Sequence, residues 1–242
     1  MRIKIIFSKG TKIELPIDYN RFIQAFIYSY LNRELAEKLH NDGFKYEKRQ
    51  FKLFTFSRIL GKYKLNNDKI TFIPPVNLIV ASAIADILQD IAKSMIRIRS
   101  AHLDSNEIEI EGVEVYKKID FGKEAVIYTL SPITAYSTLN KSDGAKKTYY
   151  YSPYEKEFSE NLKNNLVKKY IVINGKQPEN TDFKIEPVDK SIKECVLKYK
   201  GTVIKGWLGK FKMSGNPELI KVGYDCGFGS KNSQGFGCVE VV

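Results

Sequence analysis

The sequence predicts an α+β fold of two tandem βαββαβ modules, the ferredoxin-like order that RNA-recognition motifs also use. Three observations carry this expectation. The first half sets strand-like runs around two stretches of helical periodicity. The second half repeats that order loosely, with no sequence repeat, so the two-module reading rests on element order. With 242 residues the chain is long enough for one large domain or two of ordinary size.

Taken in order, Met1 to Phe7 alternates as an opening strand. After Pro16, Asp18 is read as the N-cap of a helix from Tyr19 to Leu31. Phe22, Ile23, Phe26, Ile27 and Tyr30 recur at helical spacing and form its core face, and Arg21, Gln24 and Tyr28 share the opposite face. Arg33 to His40 continues as a second short helix, stopped by Asn41-Asp42-Gly43. Phe51 to Phe56 reads as a strand, with Lys69 to Ile73 and Asn77 to Ala81 as its neighbours. Ala83 to Ile96 is amphipathic through Ile84, Ile87, Leu88, Ile91 and Met95, and Glu107 to Lys117 alternates and closes the first module.

The expected boundary puts one module at residues 1–120 and the other at 121–242, with Lys118 to Lys123 as the junction. Ala125 to Leu130 then reads as a strand and Glu155 to Tyr170 as a helix. Ile192 to Tyr199, Gly201 to Gly209 and Leu219 to Val222 are strand-like, and residues 139–148 read as an exposed mobile loop.

The most specific stretch is Gly227-Phe228-Gly229-Ser230-Lys231-Asn232-Ser233-Gln234-Gly235-Phe236-Gly237, preceded by Gly223. Such glycine density is read as excluding helix and ordinary strand, because glycine serves where φ is positive or another backbone comes close. A loop of bare amides with one Lys and one Asn suits an anion rich in oxygens, phosphate first. A Walker loop needs Gly-Lys-Ser/Thr opening a helix, and a dinucleotide fingerprint needs a helix to follow; neither holds here.

This G-h-G-x-x-N-S-x-G-h-G signature, placed just before a short final strand, resembles that of the CRISPR-associated (Cas) endoribonucleases that process CRISPR repeat transcripts, the sixth-numbered Cas family of the RAMP superfamily. The match is tight from Gly223 to Val242 and elsewhere extends to length, basic charge and element order. The resemblance implies metal-independent cleavage by the RNA's own 2′-OH, leaving a 2′,3′-cyclic phosphate and a 5′-OH, with no cofactor. It implies CRISPR repeat RNA as partner, with a CRISPR effector complex and a second copy of the chain as further candidates.

Composition is consistent with this. A net charge of +11 predicts a polyanionic partner, nucleic acid before membrane, although a lysine-rich surface alone is the bland alternative. No run of 18 apolar residues is present, and the opening residues lack the apolar block of a signal peptide, so a cytoplasmic protein is expected. Three cysteines without paired spacing argue against a disulfide framework and a zinc site; Cys226 and Cys238 are expected to be small buried residues. Asp104, Glu107, Glu109 and Glu111 read as the solvated face of a strand, and no metal-ligand set is visible.

Cleavage of that kind needs a base, an acid and a cation. Of the two histidines, His40 ends a helix beside a flexible turn, in the region where many members of the resembled family carry the catalytic histidine, and a helix C-terminus favours imidazolium. His102 reads as a surface residue in a strand-connecting loop. The resemblance adds a tyrosine and a lysine: Tyr28 is preferred over Tyr30, which lies on the core stripe, and over Tyr46, while Lys52 and Lys48 follow the turn. Gly227, Gly229, Ser230, Lys231, Asn232, Ser233, Gly235, Gly237, Lys48 and Arg49 are the expected RNA contacts. Two other readings stand beside the nuclease: a non-cleaving RNA-binding RAMP subunit of an effector complex, and a ferredoxin-like protein holding a small phosphorylated ligand.

Overall fold

The computed structural model describes residues 1–8, 12–98, 100–140, 144 and 146–242. Its N-terminal half runs β1 (Arg2–Phe7), β2 (Ile13–Pro16), α1 (Asn20–Ser29), α2 (Arg33–Asn41), β3 (Phe44–Tyr46), β4 (Arg49–Phe51), β5 (Phe54–Phe56), β6 (Leu60–Asn66), β7 (Lys69–Ser82), α3 (Ala85–Arg97), β8 (Ser100–Leu103) and β9 (Asn106–Val115). Strand β1 lies between β7 and β9, antiparallel to both, with Ile5 opposite Leu78 and Val113. β5 and β6 pair with β7 on its far side. That is the 2-3-1-4 strand order of a ferredoxin-like sheet. Ile23, Phe26 and Ile27 of α1 and Ile87, Leu88, Ile91 and Met95 of α3 pack against Ile3, Ile5, Phe7, Leu78 and Val80, so both helices cover one face. Burying each such side chain is worth about 1.5–3 kcal/mol.

The C-terminal half runs β10 (Glu124–Thr129), β11 (Tyr136–Asn140), β12 (Lys146–Tyr150), α4 (Lys156–Asn174), β13 (Phe183–Pro187), β14 (Lys193–Tyr199), β15 (Thr202–Leu208), β16 (Lys210–Gly215), α5 (Pro217–Cys226), a 3₁₀ turn (Asn232–Gln234) and β17 (Val239–Val241). Its four-stranded sheet has the order β13-β16-β10-β17, again 2-3-1-4. Hairpins β11–β12 and β14–β15 are insertions into this second unit. The expected pair of ferredoxin-like modules is therefore present. No helix among the described residues is long and apolar enough to cross a membrane.

Several elements depart from the sequence expectation. Phe51 to Phe56 is not one strand: Leu53 takes φ +54°, ending the β3–β4 hairpin at Phe51 and letting β5 start afresh at Phe54. The two runs at Lys69 and Asn77 are a single strand, β7, and β6 is its hairpin partner. His102 lies within β8, exposed, rather than in a loop. The cap position of α1 is Tyr19, with no side-chain cap; Asp18 precedes it. Leu139, Asn140 and Lys146 to Thr148 belong to the β11–β12 hairpin, and 141–143 and 145 lie outside the described residues.

The largest departure is α5. Leu219 to Val222 is helical, started by Pro217 at the first turn and by the Asn216 side chain accepting from the Glu218 amide at 2.8 Å. Between Leu219 and Cys226 only Lys221 is exposed, so the apolar run reads like a buried strand. Gly223 lies inside it, contrary to the expected exclusion of helix. A Cβ there would stand 2.2 Å from the Phe228 ring, so close packing rather than a turn calls for that glycine.

Candidate nucleic-acid interface

The glycine loop leaves α5 at Gly227 and enters β17 after Gly237. Its amides mostly serve its own shape. Ser230 N donates to Thr134 O at 2.9 Å, Gly235 N to Asn232 O at 3.0 Å and Gly237 N to Pro132 O at 2.8 Å. The amides of Lys231, Asn232 and Ser233 find no backbone acceptor among the described residues. The amides of Gly229 and Phe236 find none either, whereas that of Gly235 is already committed.

Asn232 is committed as well. Its Nδ2 donates to Phe228 O at 3.1 Å and Phe236 O at 3.0 Å, while its Oδ1 accepts from Lys169 Nζ at 2.7 Å. Lys169, on α4, is 2% exposed and also donates to Gly227 O at 2.7 Å and Gly229 O at 3.2 Å. A buried ammonium therefore clamps the loop from beneath, and the Asn232 carboxamide ties its two ends. Only the backbone of Asn232 is left for a ligand.

Burial pushes the Lys169 ammonium down from near 10.5 to about 8. The unfolded chain then holds a proton that the folded chain has released between those values. Stability from this group is full above the unfolded value and is lost as pH falls through about 8. Raising pH from 7.5 to 10 is expected to favour the wild type over Lys169→Met by up to ~3 kcal/mol, read by urea unfolding of both proteins. A difference constant with pH would mean that Lys169 does not titrate in this window.

The N-terminal module holds the loop from the other side. Asn20 Nδ2 donates to Gln234 O at 2.8 Å, Gln24 Nε2 to Ser233 O at 2.6 Å and Thr55 Oγ1 to Phe236 O at 2.9 Å. The Tyr199 hydroxyl donates to Gln24 Oε1. Hence Gln24, on the face of α1 that the periodicity turned outward, is covered by the loop and β14, while Arg21 stays exposed.

Beside the loop lies a cleft of about 710 Å³, walled by β4, Lys52 to Phe54, the start of β11, α4 and residues 230–234. It gathers Arg49, Lys52, Ser230, Lys231, Asn232 and Ser233 from the expected set. Lys231 stands 5.3 Å over the Tyr136 ring centroid, a cation–π approach. Burial lowers the pKa of both Lys231 and Lys52, and for Lys52 nearby Asp42 opposes this. Both ammonium groups are thereby partly stripped of water, which strengthens their attraction to a phosphate.

His40, Tyr28 and Lys48 are not part of that wall, nor are the four loop glycines, which shape the loop instead. His40 is exposed in the last turn of α2, its Nδ1 3.1 Å from Asn41 Oδ1. Lys52 connects it to the cleft, because Lys52 Nζ donates to Leu39 O and, at 3.0 Å, to His40 O. Tyr28 is half-buried edge-on against Phe54, with ring centroids 6.0 Å apart, rather than open to solvent as expected. Burial pushes its hydroxyl up to about 12, so at neutral pH it is a proton donor and not a base. Lys48 is exposed at the tip of the β3–β4 hairpin.

Sequence reasoning missed Tyr136, Asn165 and Lys169. The signal for the last two was available: Phe158, Leu162, Leu166 and Tyr170 form the buried stripe of α4, and Asn165 and Lys169 flank it one position away. Polar residues beside a buried helical stripe either find internal partners or face a site. Among the described residues no three His, Cys, Asp or Glu side chains converge as a metal site would require. Cys226 and Cys238 are buried as expected, and Glu107, Glu109 and Glu111 are exposed.

Residues 92–241 match the family model described as CRISPR associated protein Cas6, C-terminal. Over 99% of its length the chain is 31% identical to the Methanocaldococcus jannaschii protein named CRISPR-associated endoribonuclease Cas6 1, covering 92% of that relative. It is 28% identical to a Pyrococcus horikoshii protein named putative CRISPR-associated endoribonuclease-like protein Cas6nc, over 100% of this chain and 99% of that one. A solved structure titled "An RAMP protein binding different RNA substrates" superposes with a TM-score of 0.83 at 27% identity, covering 100% of this chain and 99% of that one.

Proposed function

The chain belongs to the Cas6 family, and from that premise we propose that it is an endoribonuclease that cuts CRISPR repeat transcripts without a metal ion. The 2′-OH upstream of the scissile bond attacks phosphorus, the P–O5′ bond breaks, and the products carry a 2′,3′-cyclic phosphate and a 5′-OH. His40 moves a proton at the 2′-OH or the departing O5′, Lys52 meets the charge on the phosphorane, and the protonated Tyr28 hydroxyl orients the reacting group. The observation that carries this reading is Lys52, which lines the phosphate-binding cleft and at the same time holds the His40 backbone. We place the division between the modules at residues 120 and 121, which leaves His40 in one and the glycine loop in the other.

The test is incubation with a repeat RNA in EDTA, with the 3′ ends of the fragments analysed. Cleavage leaving cyclic phosphate is the expected result; cleavage that stops on chelation would overturn metal independence. Binding is expected to weaken steeply with salt, since each neutralised phosphate of a single strand contributes a slope of about −0.7. Lys231→Ala should lower that slope by about one contact while leaving the fold intact. An unchanged slope would remove Lys231 from the phosphate contacts.

One observation favours a second reading, a non-cleaving RNA-binding subunit of an effector complex. His40 is exposed and outside the cleft wall, and binding alone needs only the loop and the cleft. Repeat RNA that is bound and recovered whole would decide for it.

A further inference from the structure

Asn165 is 8% exposed on the wall of the cleft, and its carboxamide makes no hydrogen bond to any described residue; its Oδ1 is buried without a partner. Gln234, on the loop side of the same cleft, holds a second carboxamide oxygen that is buried and unpartnered. A protein interior leaves few such groups, because each one costs the full desolvation of a polar atom. Neither amide is anchored by a hydrogen bond through its oxygen, so rotation of either side chain presents oxygen or nitrogen to the cleft without breaking one there. The Tyr136 ring and the Lys231 ammonium complete the surroundings.

Resting on the RNA-binding reading above, we infer that the cleft holds one unstacked adenine of the RNA, read at its edge by Asn165. A carboxamide matches that edge in both senses, accepting from the N6 amine and donating to N7. The second N6 proton is free for Gln234 Oε1, which a base lacking an amine leaves unpaired. Lys231, held over the Tyr136 ring, takes the adjoining phosphate. Asn165 is thus a specificity residue, kept in place of an apolar side chain that the fold would accept.

The experiment measures binding of the full chain to three 12-nucleotide single strands: oligo(rA), oligo(rU) and an oligomer of purine riboside, which is adenosine without its amine. Wild type is expected to prefer oligo(rA) to both others by about 10-fold. Asn165→Leu should reduce oligo(rA) to the level of oligo(rU), leave oligo(rU) unchanged, and keep or raise the unfolding midpoint. Equal affinity of the wild type for oligo(rA) and purine riboside would overturn the inference without any variant. So would an Asn165→Leu loss shared equally by all three strands. Failure to bind any of them would instead bring down the RNA-binding reading itself, and this inference with it.

Discussion

Replacing His40 by Ala is expected to slow cleavage of a repeat RNA by about 10²–10⁴-fold and to leave its binding unchanged, the effect of removing one well-placed acid or base. Binding survives because the ring lies outside the cleft wall, and the Lys52 contact is made to the His40 carbonyl, which Ala retains. Single-turnover rates beside equilibrium affinity separate the two effects. Tyr28→Phe keeps the packing on Phe54 and removes only the hydroxyl, so a smaller rate loss with intact stability is expected. A strand with 2′-deoxy at the scissile nucleotide should be bound and left whole, since the attacking oxygen is gone. Full activity in His40→Ala, or cleavage of the deoxy strand, would sink the mechanism.

Gly237→Ala is expected to be the most damaging single methyl in the chain. Gly237 has φ +77°, and a Cβ there would stand 2.0 Å from Phe228 O and 2.7 Å from Asn232 Nδ2. The left-handed backbone costs an Ala roughly 1–2 kcal/mol. Relief of the overlap must push the Phe228 carbonyl off the Asn232 amide, opening the tie that Lys169 supports from below. Together these bring the loss to about 3–5 kcal/mol, with RNA affinity falling alongside. Gly201→Ala is the control, because Gly201 has φ +82° but nothing within 4 Å of its would-be Cβ. It should lose only the backbone part, about 1 kcal/mol. Equal losses in the two variants, by urea unfolding, would show that the contact at Phe228 is unimportant.

The element order and the place of the loop were legible because they rest on local pattern: alternation in β1 and β9, helical spacing in α1 and α3, glycines where φ is positive. What escaped depends on distant partners. α5 shows little of its period, since Glu218 and Lys221 are its only exposed residues. The β3–β4 hairpin turns at Glu47, a non-glycine residue with φ +49° that carries no turn signature. Among the residues that line the cleft, Arg49, Lys52 and residues 230–233 are the ones that charge and motif single out in the sequence. The division of labour among them was not, because Asn232 looks like a ligand-binding side chain until Lys169 appears beneath it. Lys169 lies about sixty positions away on another element, so its place beside the α4 stripe marks it as a residue needing a partner without pointing to Asn232.

The loop is held by hydrogen bonds from Asn20 and Gln24, across 214 and 209 positions of sequence. On a translating ribosome the first module emerges with those side chains ready and nothing to receive them. At about 5–20 residues per second the wait is roughly 10–40 s. A nascent chain that halts within that interval carries His40 and Lys52 but no glycine loop beside them. On the proposed reading, a chain halted there lacks the loop side of the cleft, and cleavage waits on synthesis of residues 227–237.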